Sequence, residues 1–249
     1  MAQEQRGDPE PIGSDEPVTG PRRAALFDID GTLVDSNYLH VDAWHRAFQE
    51  LGADVDAWRI HRSIGQDGDR LIASLAGDRN EAWAAEATKL HARHYADLAP
   101  RLRLFEGVRD LLSSLAARGV VIVLATSAPQ EELDILLRVI DADDTIHATT
   151  NADDVDTAKP EPDIVRVALE RAGVDADHAV FIGDSAWDME AAVRAGVAPY
   201  GVLSGGISAD LLTDAGARAV FDDPADLHRR LGQIGAFAGR PGTRERPEG

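Results

Sequence analysis

Runs of consecutive apolar residues recur along the chain and are separated by polar segments. The clear runs lie at 24–30, 120–126, 179–183 and 199–203, and a weaker one lies at 145–150. Strands of a parallel sheet are buried on both faces, so their residues are apolar at consecutive positions rather than at alternate ones. These runs therefore predict the strands of a parallel sheet.

Amphipathic helical patterns lie between these runs. They occupy 107–119, 130–140, 162–173 and 187–196. The first of them ends at Gly119 and the third at Gly173, as helices often end at a glycine. Strands that alternate with helices predict an α/β fold with a doubly wound parallel sheet, in which helices cover both faces.

A long helical stretch interrupts this alternation after the first strand. Val41, Trp44, Phe48 and Leu51 recur at helical spacing, and residues 81–98 form another amphipathic pattern.

The chain is therefore expected to divide into a core with an insertion. We expect 22–36 together with 105–236 to form the α/β core, and 37–104 to form an inserted α-helical cap. The segments 1–21 and 237–249 are rich in Pro, Gly and charged residues and are expected to be disordered.

Composition narrows the class of partner. The chain contains no cysteine and carries a formal charge of −19. Nucleic acids and anionic membranes attract basic surfaces, so neither is an expected partner. The sequence has no apolar run of membrane-spanning length and no signal-peptide pattern. We therefore expect a cytoplasmic protein, a monomer or small homo-oligomer, that acts on a small molecule. Of the 25 basic residues, only Lys89 and Lys159 are lysines, so each of these two lysines is a candidate for a specific role.

Two carboxylates stand at the end of the first predicted strand. Asp28 and Asp30 are two positions apart, so their side chains point to the same side, and Gly31 allows the chain to turn away at once. Ligands of open parallel sheets bind beyond the carboxyl ends of the strands. Paired acids there need a cation or a shared proton to relieve their repulsion. Taken alone, this pair fits a binding site and a strand-ending turn equally well.

The longer segment FDIDGTLVDS resembles the first signature motif of the haloacid dehalogenase superfamily. The family's other motifs have counterparts in order, at Thr126 with Ser127, at Lys159 in KPEPD, and at Asp184 with Asp188 in GDSAWD. Each counterpart has a simpler explanation by itself, such as a surface lysine or a helix N-cap. Their joint occurrence at predicted strand ends or helix starts favours membership. The resemblance covers roughly residues 22–235.

The resemblance implies hydrolysis of small phosphate monoesters. Asp28 is then the expected nucleophile, which forms an aspartyl-phosphate, and Asp30 is the expected general acid and base. Thr126, Ser127 and Lys159 are expected to hold the phosphoryl oxygens. The substrate is expected to resemble phosphoglycolate or a sugar phosphate.

A magnesium site is also implied by the resemblance. Asp28, the backbone carbonyl of Asp30 and Asp184 are the expected ligands, with Asp188 bound directly or through water. Oxygen ligands of this kind suit a hard ion such as Mg²⁺.

The helical insertion corresponds in position to the cap of phosphoglycolate phosphatases and β-phosphoglucomutases. We expect His40, Gly65, Gln66 and Asp67 in this cap to contact the leaving group and set specificity. Two simpler explanations stay open, a packing role for His40 and a helix end at Gly65.

Three other functions are weaker alternatives. A β-phosphoglucomutase-like mutase would need basic residues around Gly65, where this chain has Ile64 and the acidic Asp67. A hydrolytic dehalogenase usually lacks an acid at the position of Asp30. A non-catalytic scaffold would be expected to have lost at least one of the motif residues.

Overall fold

The computed structural model describes residues 21–237 and contains a six-stranded sheet. Its strands are β1 (Arg23–Phe27), β2 (Val120–Ala125), β3 (Ala148–Thr150), β4 (Ala179–Gly183), β5 (Ala198–Val202) and β6 (Val220–Phe221). They lie in the order β3-β2-β1-β4-β5-β6, and every neighbouring pair is parallel. The central strand β1 therefore has β2 on one side and β4 on the other. The point where strand order reverses is where such sheets bind ligands.

Helices fall into two groups along the chain. Between β1 and β2 lie α1 (Asn37–Glu50), α2 (Ala57–Ser63), α3 (Gly68–Ala76), α4 (Glu81–Leu98) and, directly before β2, α5 (Val108–Ala117). The later helices are α6 (Gln130–Ile140), α7 (Asp163–Ala172), α8 (Ala186–Arg194), α9 (Ala209–Asp214) and α10 (Pro224–Arg229).

Both faces of the sheet are covered, which explains why its central strands are apolar at consecutive positions. Phe27 of β1 belongs to a buried cluster that includes residues of α5, α6 and α10. Leu26, the preceding residue, points to the opposite face and belongs to a second cluster with residues of α7 and α8. Side chains that alternate between faces along a strand produce this arrangement.

Helices α1 to α4 share a separate hydrophobic cluster. Trp44 and Phe48 of α1 pack there with Ile60 of α2, Leu71 of α3 and Ala87 of α4. The apolar stripe predicted along α1 is therefore the core of this helical layer.

The predicted α/β fold, with its doubly wound sheet and helical insertion, is confirmed. The weak run at 145–150 forms β3. Strand β6 is an addition that the sequence pattern does not predict, because a two-residue strand has no detectable period. No helix in residues 21–237 is long and apolar enough to cross a bilayer. The segments predicted to be disordered, 1–21 and 237–249, lie outside the described residues apart from Pro21 and Phe237.

Candidate active site

Three carboxylates and one ammonium group meet beyond the carboxyl ends of β1 and β4. Oxygens of Asp28, Asp184 and Asp188 lie within 4.8 Å of one another, and all three residues are buried. Lys159 Nζ lies 2.6 Å from Asp28 Oδ1 and 2.8 Å from Asp188 Oδ1. It also donates to the backbone carbonyl of Ala125 at 3.1 Å. Because its side chain is only 1% exposed, Lys159 is not a surface lysine.

Asp184 is fixed by side chains that follow β1. Asn37 Nδ2 donates to Asp184 Oδ2 at 2.8 Å, and Thr32 Oγ1 donates to Asp184 Oδ1 at 3.3 Å. Two glycines allow the backbone to approach this carboxylate. A Cβ atom at Gly31 would lie 2.4 Å from Asp184 Oδ2, and one at Gly205 would lie 1.6 Å from it. Residues with side chains would therefore displace Asp184 from the cluster.

Ser185, and not Asp184, caps the start of α8. Ser185 Oγ accepts a hydrogen bond from the Asp188 backbone N–H at 3.2 Å, and Asp188 Oδ2 accepts one from the Ser185 N–H at 3.1 Å. This capping box satisfies two helix-terminal donors and orients Asp188. The alternative that Asp184 serves as an N-cap is therefore wrong, and its carboxylate remains with the acidic cluster.

Burial and charge crowding dominate the protonation equilibria of this cluster. Burial raises the pKa of Asp28 well above its ordinary value, with Lys159 opposing this effect and Asp188 adding to it. Burial and the charge of Asp188 likewise raise the pKa of Asp184. Lys159 keeps a raised pKa in spite of its burial, because Asp188 and Asp28 stabilise its charge. One ammonium group does not neutralise three clustered carboxylates, so a further cation would be stabilised here.

Asp30 lies beside this cluster and has different neighbours. Its Oδ1 accepts a hydrogen bond from Ser36 Oγ at 2.5 Å and lies 3.2 Å from His40 Nε2. Burial raises the pKa of Asp30, but the charge and hydrogen bond of His40 and the hydrogen bond of Ser36 outweigh this effect and lower it. Burial lowers the pKa of His40, but the hydrogen bond and the charge of Asp30 outweigh this effect. The pKa of His40 is therefore raised above its ordinary value. The pair therefore favours a carboxylate and an imidazolium.

A chain of buried polar side chains continues from His40. His40 Nδ1 lies 3.1 Å from His91 Nε2, and His91 Nδ1 lies 3.7 Å from Glu132 Oε1. Burial and the charge of His40 lower the pKa of His91 well below its ordinary value, which favours a neutral ring. With His40 as donor, His91 Nε2 accepts and its proton is on Nδ1, facing Glu132. The rings of Tyr95 and Trp44 stack on His40 and His91, with centroid distances of 4.0 and 4.2 Å.

These groups surround a cavity of about 130 Å³ between the sheet edge and α1 to α4. Its walls are Asp28, Asp30, His40, Trp44, Ile64, Gly65, Gln66, Gly68, Leu71, Thr88, His91, Thr126, Ser127, Ala128, Pro129, Glu132 and Asp184. Thr126 Oγ1 accepts a hydrogen bond from the Ala128 N–H at 3.0 Å, which leaves its hydroxyl proton for another acceptor. The cavity thus brings together the acids of β1, the hydroxyls after β2 and residues of the helical insertion.

The loop between α2 and α3 touches the core, but its residues do so unequally. Gly65 has φ +93°, and a Cβ atom there would lie 2.9 Å from Ser185 Oγ. Gln66 lines the cavity with Gly65. Asp67 does not line it; instead it caps α3, where its Oδ1 accepts from the Arg70 N–H at 2.9 Å. Gly65 is therefore not merely a helix end that faces solvent, because its backbone lies close to Ser185 of the core.

His91 and Glu132 are site residues that the sequence patterns do not single out. A signal for both exists, since each occupies the apolar stripe of its helix. Glu132 precedes Leu136 and Ile140 at intervals of four, and His91 precedes Tyr95 by four. A titratable residue inside an apolar stripe is exceptional and indicates either a buried partner or a cavity.

Fold and site together define an α/β protein with a carboxylate-rich centre at the switch point of its sheet. The model of the haloacid dehalogenase-like hydrolase family matches residues 25–202. The chain therefore belongs to this family.

Individual relatives agree with this assignment. The chain is 35% identical to a phosphoglycolate phosphatase of Rhodospirillum rubrum, over 84% of this chain and 91% of the relative. It is 29% identical to a phosphorylated carbohydrates phosphatase of Thermotoga maritima, over 79% of this chain and 93% of that one. The crystal structure of a hydrolase from Pseudomonas syringae, 34% identical, superimposes with a TM-score of 0.82 and covers 86% of this chain and 99% of its own.

Proposed function

We propose that this protein is a Mg²⁺-dependent phosphatase that hydrolyses small phosphate monoesters of the phosphoglycolate or sugar-phosphate type. The contact of the Asp28 carboxylate with a buried ammonium, beside two further buried acids, carries the proposal. The names of the relatives from Rhodospirillum rubrum and Thermotoga maritima support the substrate class.

The donor set of the cluster suits Mg²⁺. Asp28 and Asp184 offer carboxylate oxygens, the Asp30 backbone offers a carbonyl, and Asp188 would bind directly or through water. All of these are hard oxygen donors, and the described residues bring no sulfur ligand to the cluster. When bound, Mg²⁺ would offset negative charge on the carboxylates and on the substrate phosphoryl oxygens.

Hydrolysis then proceeds in two displacements. An oxygen of Asp28 attacks phosphorus and a phosphorus–oxygen bond to the leaving group breaks. The leaving alkoxide takes the proton that the Asp30–His40 pair holds, with Asp30 as the group that delivers it and the His40 imidazolium as its source. Water then attacks the aspartyl-phosphate, loses a proton to Asp30 and releases phosphate together with free Asp28. Ser36 and His40 both engage Asp30 Oδ1, which supports Oδ2 as the oxygen that faces the reacting atoms.

The remaining core residues hold the phosphoryl group. Lys159 offsets repulsion between the Asp28 carboxylate and an incoming phosphate dianion. Thr126 and Ser127 supply hydroxyl donors at the end of β2.

A phosphosugar mutase is less well supported. Its substrates carry a second phosphate during the reaction, and a second phosphate needs a cation. Within residues 21–237, the cavity walls include no lysine or arginine.

We propose the domain boundaries that the sequence predicts. Residues 22–36 and 105–236 are the catalytic core, and 37–104 are the cap; the separate hydrophobic cluster of α1 to α4 supports this boundary. We further propose a cytoplasmic location, a free small-molecule substrate, and a monomeric or small homo-oligomeric state. The formal charge of −19 speaks against nucleic acid as a partner.

The direct test is an activity screen. Purified protein is assayed in Mg²⁺ against p-nitrophenyl phosphate and a panel of phosphorylated metabolites, with Asp28→Asn as the inactive control. Metal-dependent phosphate release that Asp28→Asn loses supports the proposal. Absence of release from every ester, with folded protein and Mg²⁺ present, would refute it.

A further inference from the structure

The carboxylate of Glu132 faces the cavity without a hydrogen-bonding partner. Its side chain is 10% exposed, and no hydrogen bond from the described residues reaches it. His91 Nδ1 lies 3.7 Å from Glu132 Oε1, which is beyond hydrogen-bonding distance. A buried polar group normally has a partner, so an unpartnered carboxylate in a cavity wall indicates that a ligand supplies one.

Glu132 lies on the leaving-group side of the site. The chain Asp30, His40, His91, Glu132 runs away from Asp30 by contacts of 3.2, 3.1 and 3.7 Å. Asp30 is the proposed proton donor to the leaving oxygen, so groups beyond it meet the leaving group rather than the phosphoryl group. Gln66 and Thr88 line the same cavity.

In the part of the chain that is described, this end of the cavity has hydrogen-bonding groups and no lysine or arginine, and the His40 imidazolium in its wall is already paired with Asp30 at 3.2 Å. Arg70, which follows the loop of Gln66, lines a different groove. It lies 3.8 Å from Asp67 and 3.9 Å from Glu161. A leaving group with its own carboxylate would therefore meet Glu132 without an unpaired cation to compensate its charge.

We propose that Glu132, with Gln66, Thr88 and His91, forms a leaving-group subsite that accepts neutral, hydroxyl-bearing groups of polyols or sugars and rejects groups that carry a carboxylate. The inference rests on the proposed phosphatase activity and narrows its substrate class. Hydroxyl groups donate to a carboxylate and accept from an amide or imidazole N–H, which fits these walls. A cationic leaving group would also be attracted by the Glu132 carboxylate, so the test includes a cationic ester beside the neutral and anionic ones.

Cavity size alone does not decide between these classes. About 130 Å³ corresponds to roughly four water molecules at ~30 Å³ each, which is about the volume of a phosphate ester of a two- or three-carbon compound of either charge. Charge is therefore the property that the experiment must vary.

The test compares glycerol 3-phosphate with 3-phosphoglycerate, which differ only by a CH₂OH group in place of a carboxylate. Phosphoethanolamine supplies the cationic case, 2-phosphoglycolate a second anionic one, and p-nitrophenyl phosphate the generic ester. We measure kcat/KM in Mg²⁺ at about pH 8, where Glu132 is ionised, since burial raises its pKa to about 7. The wild type, Glu132→Gln and the exposed neighbouring variant Glu131→Gln are compared.

We expect the wild type to prefer glycerol 3-phosphate over 3-phosphoglycerate at least about tenfold. Glu132→Gln should reduce this ratio several-fold, chiefly by gaining rate on the carboxylate substrate, while Glu131→Gln keeps the wild-type ratio. Equal or better use of 3-phosphoglycerate, 2-phosphoglycolate or phosphoethanolamine by the wild type would overturn the inference. So would a ratio that Glu132→Gln leaves unchanged. Activity on p-nitrophenyl phosphate with the wrong ranking refutes the subsite alone, whereas inactivity on every ester refutes the phosphatase proposal and the subsite with it.

Discussion

Lys159 and Asp28 form an ion pair of 2.6 Å in which the ammonium group is almost fully buried. The same ammonium donates to the Ala125 carbonyl at 3.1 Å and forms a second ion pair with Asp188 at 2.8 Å. A compact ammonium group fits between these partners. A larger cationic group could not move outward into solvent, because the Lys159 side chain is almost fully buried.

Lys159→Arg should reduce kcat/KM by at least about 100-fold although the charge is kept, because a planar guanidinium cannot occupy the buried site between Asp28, Asp188 and the Ala125 carbonyl without displacing Asp28. Steady-state kinetics on p-nitrophenyl phosphate measures the loss. Lys89→Arg is the matched control, since Lys89 is 75% exposed, and it should retain full activity. A near-normal Lys159→Arg enzyme would exclude a direct role for Lys159 in phosphate binding.

Asp28→Asn should abolish turnover and leave the fold intact, because the amide has the same shape but is neither anionic nor nucleophilic. Asp35→Asn, an exposed position in the same segment, should behave as the wild type. Circular dichroism checks the fold, and mass spectrometry excludes deamidation back to aspartate. Residual activity above a few per cent would assign the nucleophile to another group.

Mg²⁺ should raise the melting temperature of chelator-treated protein and restore its activity, because a ligand that binds only the folded state stabilises it. Asp184→Asn should lose the thermal shift as well as the activity. Ca²⁺ should inhibit, since its larger and more flexible coordination allows a carboxylate to bind through both oxygens. Full activity in chelator, with contaminating metal measured and absent, would contradict the metal assignment, as would an unchanged shift in Asp184→Asn.

Glu132→Gln should stabilise the protein at alkaline pH. Burial, together with Asp30 and Glu131 and against the effect of His40, raises the pKa of Glu132 from 4.5 to about 7. The unfolded chain releases this proton near the lower value and the folded protein near the higher one. Stability therefore falls between them and stays low above the higher value. The variant should gain up to about 3 kcal/mol in the free energy of unfolding above pH 7.

Urea unfolding at a series of pH values checks this prediction. The gain should disappear near pH 4, where glutamate is protonated in both states. Glu131→Gln, at an exposed position, should show a much smaller gain, because the charge of Glu131 is the smallest of the effects that act on the pKa of Glu132. A constant difference between Glu132→Gln and the wild type at all pH values would show that packing, not ionisation, distinguishes them.

Much of this fold follows from local sequence rules. Apart from Arg23 at the start of β1, the strands β1, β2 and β4 are apolar runs. Each is followed at once by a residue of the site, Asp28, Thr126 or Asp184. Because parallel strands end at the same edge, their order along the chain was sufficient to predict that these side chains meet. The helix α4 (Glu81–Leu98) coincides with the amphipathic pattern at 81–98, and Asn80 caps it.

Contacts between segments that are distant along the chain could not be predicted from the sequence. The approach of Gly205 to Asp184 depends on a loop after β5, and the contact between His91 and Glu132 joins α4 to α6. Asp67 is a second example. The sequence correctly predicts that it lies in the loop between α2 and α3, but its side chain caps α3 and does not line the cavity. Side-chain direction within a loop depends on packing, which no short motif specifies.

Gly65→Ala should impair catalysis through the position of the loop between α2 and α3. Gly65 has φ +93°, which disfavours a side chain, and an added Cβ would lie 2.9 Å from Ser185 Oγ. Gly52→Ala is the matched control, because Gly52 has φ +68° in the same helical insertion but nothing within 4 Å of its added Cβ. Both variants should lose roughly 1 kcal/mol of stability from backbone strain.

Only Gly65→Ala should change kinetics, since only there must the loop move away from the core. We expect KM to rise and kcat/KM to fall several-fold for substrates whose leaving group reaches Gln66, with a smaller effect on p-nitrophenyl phosphate. Thermal unfolding compares the stabilities, and steady-state kinetics on both kinds of substrate compares the sites. If Gly52→Ala shows the same kinetic loss, strain in the insertion explains it. If neither variant changes kinetics, the contact between the loop and Ser185 is dispensable for catalysis. The proposal that the loop positions the leaving group is then wrong.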